Sequence, residues 1–321
     1  MDALYNAAKP RVVAIGGPTA TGKTALSVAL AKRFGGEIIS ADSMQIYQGL
    51  DVGTAKVTPE EMQGVPHHLV GFLAPEQAFS VADFTTLAGK TITQLTAQGK
   101  LPLVVGGTGL YITSLLNGIG FTPEKVDPAI RQELQARLQA EGSQALYAEL
   151  AAVDPGYAAK VHPNNTPRVI RALELYRATG RKMSAEREAA RPAEKPYRSL
   201  CLCLTCRDRT FLYQRIDTRC DRMMQSGILE EAKLVYDHRD TYRTAAQAIG
   251  YKEFFAYLRG ESTLAEATAL CQQRSRNYAK RQLTWFRRNP AMHWIFQPAQ
   301  PDADAVFAAA RQEIPFFAEE I

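Results

Sequence analysis

The chain has 321 residues, 46% of them hydrophobic and 22% charged, with a formal net charge of +5. That usage is globular and excludes a disordered or fibrous chain, and no apolar run reaches the roughly 18 residues that span a bilayer. Five cysteines do not make a disulfide framework, and Met1 to Arg11 holds no apolar targeting core, so a cytoplasmic protein with no membrane association is expected. The basic surplus is uneven. Residues 1–119 balance eight basic against eight acidic side chains, whereas residues 200–289 carry sixteen against ten. A polyanionic partner held by the later parts of the chain is one reading, and a solvated basic surface is the other.

In chain order, Arg11 to Gly16 is β-branched, apolar and closed by glycine, which predicts a short buried strand. Thr24 to Arg33 carries Leu26 and Leu30 on one face and stops at Gly35-Gly36, an amphipathic helix. Glu37 to Ser40 and Leu101 to Val105 predict two further strands. Strands separated by helices imply parallel βαβ units. From about Phe121 the pattern turns helical. Asp127-Pro128 starts one helix, Ser143 to Leu150 makes a second, and a third follows Asn165-Thr166-Pro167 to Gly180. Residues 181–198 are charged and proline-bearing and read as a link. Leu200 to Leu204 returns to strand, and helices follow at 209–227, 230–236 and 264–287. The expected fold is α/β: a P-loop NTPase-like parallel sheet with helices on both faces, built from 1–120 and 198–321. An all-helical domain, 121–197, is inserted.

Gly17-Pro18-Thr19-Ala20-Thr21-Gly22-Lys23-Thr24 fits G-x4-G-K-[ST] between a strand and a helix. Backbone N–H groups of such a loop turn toward phosphate oxygens, Lys23 adds a full positive charge, and the Thr24 hydroxyl suits Mg²⁺. A nucleotide site, as in a small-molecule kinase or an ATPase, is the first reading. An ATPase needs an acid after the later strand to hold its metal, and here Leu103-Val104-Val105 runs into Gly106-Gly107-Thr108-Gly109. A diphosphate of any kind satisfies the loop. Asp42 follows the second strand and emerges at the carboxyl edge of the sheet, where open α/β folds place ligands. It reads as a water-mediated Mg²⁺ ligand, a proton acceptor, or a plain helix cap. Cys201, Cys203 and Cys206 lack a histidine partner and read as core thiols, and His67-His68 as a structural pair.

Beyond these motifs, Asp-Ser-Met-Gln-Ile-Tyr at 42–47, Asp-Val-Gly-Thr-Ala-Lys at 51–56 and Pro-His-His-Leu at 66–69 stand in order with the phosphate loop. Val-Gly-Gly-Thr-Gly-Leu-Tyr at 105–111 and Arg-Val-Ile-Arg-Ala-Leu-Glu at 168–174 follow. Ala-Ile-Gly-Tyr-Lys-Glu at 248–253 and Tyr-Ala-Lys-Arg-Gln-Leu-Thr-Trp-Phe-Arg at 278–287 complete the set. Together they resemble the tRNA dimethylallyltransferases over roughly residues 11–290. Asn165 departs from the aspartate expected there, and the C-terminal zinc finger of some eukaryotic relatives is missing from the sequence.

The resemblance implies transfer of a dimethylallyl group from dimethylallyl diphosphate to N6 of adenosine 37, beside the anticodon of tRNA, with Mg²⁺ as cofactor; a monomer is expected. It implies that Gly17 through Thr24 hold the diphosphate and that Thr24 meets Mg²⁺. Arg215 and Arg219, four apart on one predicted helix face, are the candidates to clamp that diphosphate, Arg219 the better of the two, and surface pairing with Asp217 or Asp221 is the alternative. Asp42 then acts as general base, with Thr108 and Arg219 in catalysis. The anticodon stem-loop falls to Asp42, Ser43, Met44, Gln45, Arg168, Arg171, Tyr251, Lys252, Lys280, Arg281, Gln282, Trp285 and Arg287. The stretch Arg274 to Arg288 holds six basic residues, no acid and interleaved aromatics, a pattern that grips single-stranded RNA. Packing of those aromatics in the core is the competing reading, above all for Trp285.

Overall fold

A computed structural model describes residues 9–121, 127–190, 192, 194–297 and 308. The chain clusters into two units, one made of the segments up to Leu116 and from Pro196 onward, the other spanning Asn117–Lys195. In the first, β1 (Arg11–Gly16) leads through the phosphate loop into α1 (Lys23–Phe34) and β2 (Gly36–Ser40). After α2 (Pro59–Met62) come β3 (His67–His68), α3 (Val81–Ala97), β4 (Leu101–Val105) and α4 (Gly109–Leu116).

The second unit is helical: α5 (Pro128–Glu141), α6 (Ser143–Val153), α7 (Pro155–Ala158), α8 (Thr166–Thr179) and α9 (Met183–Ala189). It closes on its own apolar core of Leu134, Leu146, Leu150, Val169 and Leu173. The α9 helix corrects the link expected at 181–198. Asp154 accepts the Ser184 amide at 2.9 Å and so anchors the start of that helix, a tertiary cap that local composition does not reveal. Asn165 stands at the N-cap of α8 without a side-chain capping bond.

The chain then returns to the first unit through β5 (Arg198–Cys206), α10 (Arg209–Gln225), α11 (Ile228–Asp237), α12 (Phe255–Leu258), α13 (Leu264–Phe286) and β6 (Met292–Gln297). The six strands pair in the order β3-β2-β4-β1-β5-β6, and every pairing is parallel. Alternation along β1 sends Val13 and Ile15 to one apolar cluster, with Leu26 and Leu30 of α1. Val12 and Ala14 join the other, with Phe84, Ile112 and Phe286. Burial on both faces is what a parallel sheet covered by helices requires. Cys201 and Cys203 lie in the second of these clusters.

β6 lies beyond the last element expected from sequence, and β3 is too short to show a pattern. His68 Nε2 lies 2.7 Å from Glu37 Oε2, tying that edge to β2. Among the described residues no helix is long and apolar enough to cross a membrane.

Candidate active site

The carboxyl ends of β1, β2 and β4 feed one cavity of about 540 Å³. The phosphate loop forms one side of it. Gly17 has φ +140°, and a Cβ there would strike the backbone of Leu204, so only glycine fits. Ala20 takes a left-handed φ of 63°, a conformation that costs on the order of 1 kcal/mol in a residue with a side chain. The rest of the fold holds that shape. Arg215 Nε donates to the Ala20 carbonyl at 2.7 Å, and Gln297 Nε2 donates to the Thr21 carbonyl. Arg219 donates to Thr19 Oγ1. Gln282 accepts the Thr19 amide at 3.1 Å and donates to the Gly107 carbonyl at 2.9 Å.

Two cations converge on this loop. Lys23 donates to the Pro18 carbonyl at 2.7 Å. Burial brings its pKa down to about 8, helped by repulsion from Arg219 and partly opposed by Asp42. Arg219 is likewise lowered by burial, and Asp42 opposes the shift. Two desolvated cations with one nearby carboxylate make a site that favours a multiply charged anion.

Asp42 lies just past β2 and lines the same cavity. Its Oδ1 accepts the Met44 amide at 2.8 Å and the Gln45 amide at 3.3 Å. The turn-capping role and a chemical role are therefore compatible, since a carboxylate has a second oxygen. Thr108 Oγ1 accepts the Ser43 amide at 3.1 Å, and burial raises the Tyr278 hydroxyl at the same cavity to about 12.

Of the residues named from sequence, the structure gathers Thr19 to Thr24, Asp42 to Gln45, Arg219, Lys252, Arg281 and Gln282 around the cavity. Others fall elsewhere. Thr108 is half-buried beside the lining residue Gly107, and its Oγ1 accepts the amide of Ser43, itself a lining residue. Arg215 sits behind Ala20 and does not line the cavity, whereas Arg219 does.

Tyr251 is fully buried with its hydroxyl on Glu231 and cannot reach a macromolecule. Gln282 is 6% exposed, and both ends of its amide are used by the two glycine loops. Trp285 packs against the sheet cluster and donates Nε1–H to Thr113 Oγ1 at 3.0 Å. The hydrogen-bonding partners of these side chains, Glu231, Thr19, Gly107 and Thr113, lie far away in sequence, so local pattern does not show how they are engaged.

Lys280 and Arg287 are exposed, and Lys280 lies over the Tyr213 ring. In the helical unit Arg168 is exposed, while Arg171 pairs with the buried Glu174 at 2.8 Å. Sequence reasoning passed over Gly53, Thr54, Ala55, Thr244, Gln247 and Ser275, all of which line the cavity.

The family model described as IPP transferase matches residues 45–289, and that described as Isopentenyl transferase matches residues 10–70. The chain belongs to the IPP transferase family. Among relatives within the family, a protein of Bacillus subtilis named tRNA dimethylallyltransferase is 50% identical over 290 residues, 90% of this chain and 92% of its own. The crystal structure of a Bacillus halodurans tRNA isopentenylpyrophosphate transferase superposes with a TM-score of 0.71 at 43% identity, covering 97% of this chain and 99% of that one. A eukaryotic dimethylallyltransferase described as acting on tRNA gives a TM-score of 0.80 at 29% identity, covering 97% of this chain and 80% of that one. The IPP transferase match over 45–289 takes in every cavity-lining residue from Gln45 to Gln282, and the phosphate loop falls within the 10–70 match.

Proposed function

We propose that this chain transfers a dimethylallyl group from dimethylallyl diphosphate to N6 of adenosine 37 in tRNA, acting as a monomer in the cytoplasm. The observation that carries the reading is the meeting of Lys23, Arg219 and Asp42 in one cavity: an anion site and a proton acceptor side by side. The phosphate loop, Lys23 and Arg219 hold the diphosphate. As the allylic C–O bond breaks, its electron pair leaves with the diphosphate, and these preorganised donors meet the charge where it grows. Adenine N6 forms the new C–N bond and gives up its proton to Asp42.

The donors at hand fit Mg²⁺, a hard cation that prefers oxygen. Thr24 and Asp42 both line the cavity, and no cluster of three His, Cys, Asp or Glu side chains occurs among the described residues. Such an ion is held by one or two protein oxygens together with substrate phosphates. When bound it neutralises charge on the leaving group.

The adenine leaves the anticodon loop to enter the cavity, at a cost of a few kcal/mol. Lys252 and Arg281 at the cavity, with Lys280, Arg287, Arg168 and Arg171, offset that cost through the RNA backbone.

Purified protein with Mg²⁺, dimethylallyl diphosphate and tRNA should yield tRNA heavier by one dimethylallyl group at adenosine 37, and substitution of adenosine 37 should abolish it. Consumption of ATP with the isoprenoid donor ignored would instead make the chain a kinase or an RNA-stimulated ATPase.

A further inference from the structure

One carboxylate outside the cavity has an unusual set of partners. Glu231, in the first turn of α11, accepts the backbone amides of Asp51 and Val52 on Oε2, at 2.8 and 2.9 Å. Its Oε1 accepts the Gly53 amide at 2.9 Å and the Tyr251 hydroxyl. Tyr251 is fully buried, so this bond ties Glu231 to the core beside the loop. Gly53 is packed so closely on the Tyr251 ring that a Cβ would overlap it. Ala55 at the end of the loop is held at a left-handed φ of 44°, a conformation that persists only where neighbours enforce it.

The loop has a cavity side. Gly53, Thr54 and Ala55 are wall residues, and the wall continues into Gln45. The Gln45 amide nitrogen donates to the Ala55 carbonyl at 2.9 Å and the Thr54 carbonyl at 3.4 Å. Its backbone amide belongs to the turn capped by Asp42. The phosphate loop, by contrast, is braced by Arg215, Arg219, Gln282 and Gln297. The cavity therefore has two halves with separate supports.

We propose that Glu231 is a positioning residue for the acceptor half: it fixes the 51–55 loop, and through that loop the Gln45 amide beside Asp42, without touching either substrate. The assignment of halves rests on the functional reading above. A carboxylate receiving three amides and a phenol presents the loop in one conformation before RNA arrives, which removes an ordering cost from binding.

The experiment compares Glu231→Ala and the isosteric Glu231→Gln with the wild-type chain, by hydrogen exchange and by steady-state kinetics. In Glu231→Ala, exchange at the amides of 51–53 should quicken by at least about tenfold, the equivalent of losing a hydrogen bond to a charged group, with amides 19–24 unchanged. KM for tRNA should rise by about tenfold on the same ground, while KM for dimethylallyl diphosphate stays within about twofold. Glu231→Gln keeps the shape but turns an N–H toward an N–H, so it should show the same pattern at smaller amplitude, and it serves where Glu231→Ala fails to fold.

Unchanged exchange at 51–53 would overturn the proposal, as would equal losses for both substrates, the mark of general destabilisation. Absence of wild-type prenyl transfer would count against the functional reading, while the exchange pattern would still judge the Glu231 contacts.

Discussion

Arg219 stands close enough to Lys23 to repel it, and burial together with that repulsion holds the Lys23 ammonium near a pKa of about 8. The ordinary value is 10.5, so between those limits the unfolded chain retains a proton that the folded chain has released. Stability of the ligand-free protein should accordingly rise with pH from about 8 toward 10.5. A bound diphosphate favours the ammonium and reverses the sign. Diphosphate affinity should therefore weaken as pH rises above about 8, and binding there should take up a proton. Titration calorimetry in two buffers of different ionisation enthalpy measures that uptake. Lys23→Met should abolish it and the pH dependence together.

Asp42→Asn separates the two roles of this residue. Asparagine retains an Oδ1 that can accept the Met44 and Gln45 amides, so the turn should persist, whereas the amide cannot take the N6 proton. Turnover should fall by about 10²–10⁴, the range of a lost general base, with tRNA affinity nearly unchanged. Single-turnover assays with filter binding would decide it, and near wild-type turnover would remove Asp42 as the base.

Trp285 and Arg281 lie four residues apart on α13, yet the structure gives them opposite duties. Trp285 is packed on the sheet with its indole N–H satisfied by Thr113, so Trp285→Ala should cost about 3 kcal/mol of stability, in the range of a large core truncation. Its effect on tRNA affinity, measured below the melting temperature, should be slight. Arg281 is exposed at the cavity rim and lies over the Tyr278 ring. Arg281→Ala should leave the melting temperature alone, weaken tRNA binding, and reduce the slope of log affinity against log salt by about one.

Much of this site can be read from sequence because its parts are local. The glycine spacing at 17–24 dictates a loop whatever lies around it, and an acid just past a strand end dictates where Asp42 emerges. The braces are another matter. Gln282 and Thr19 are 263 residues apart, Glu231 and Asp51 are 180 apart, and no periodicity in either segment announces the pairing. Tyr251 shows the limit best: it lies in a block that resembles the family's, but its burial is set by Glu231 and Gly53, which only the folded chain brings together. β6 escaped for a related reason, since its partner register comes from β5 rather than from its own alternation.

Gln282→Leu tests the donor half on its own. The change keeps the volume of a buried side chain but leaves the Thr19 amide and the Gly107 carbonyl without the partners they have at 3.1 and 2.9 Å. An unsatisfied buried polar group costs about 1–3 kcal/mol, and here it falls on the phosphate loop and on the turn after β4. KM for dimethylallyl diphosphate should rise by about ten- to a hundredfold on that estimate, with KM for tRNA little altered, the reverse of the pattern expected for Glu231→Gln. Gln282 and Glu231 share no hydrogen-bonding partner. The double variant should therefore show the sum of the two free-energy changes to within about 0.5 kcal/mol. A coupling larger than that would mean that the two halves of the cavity form a single mechanical unit, and that donor and acceptor positioning cannot be assigned to separate braces.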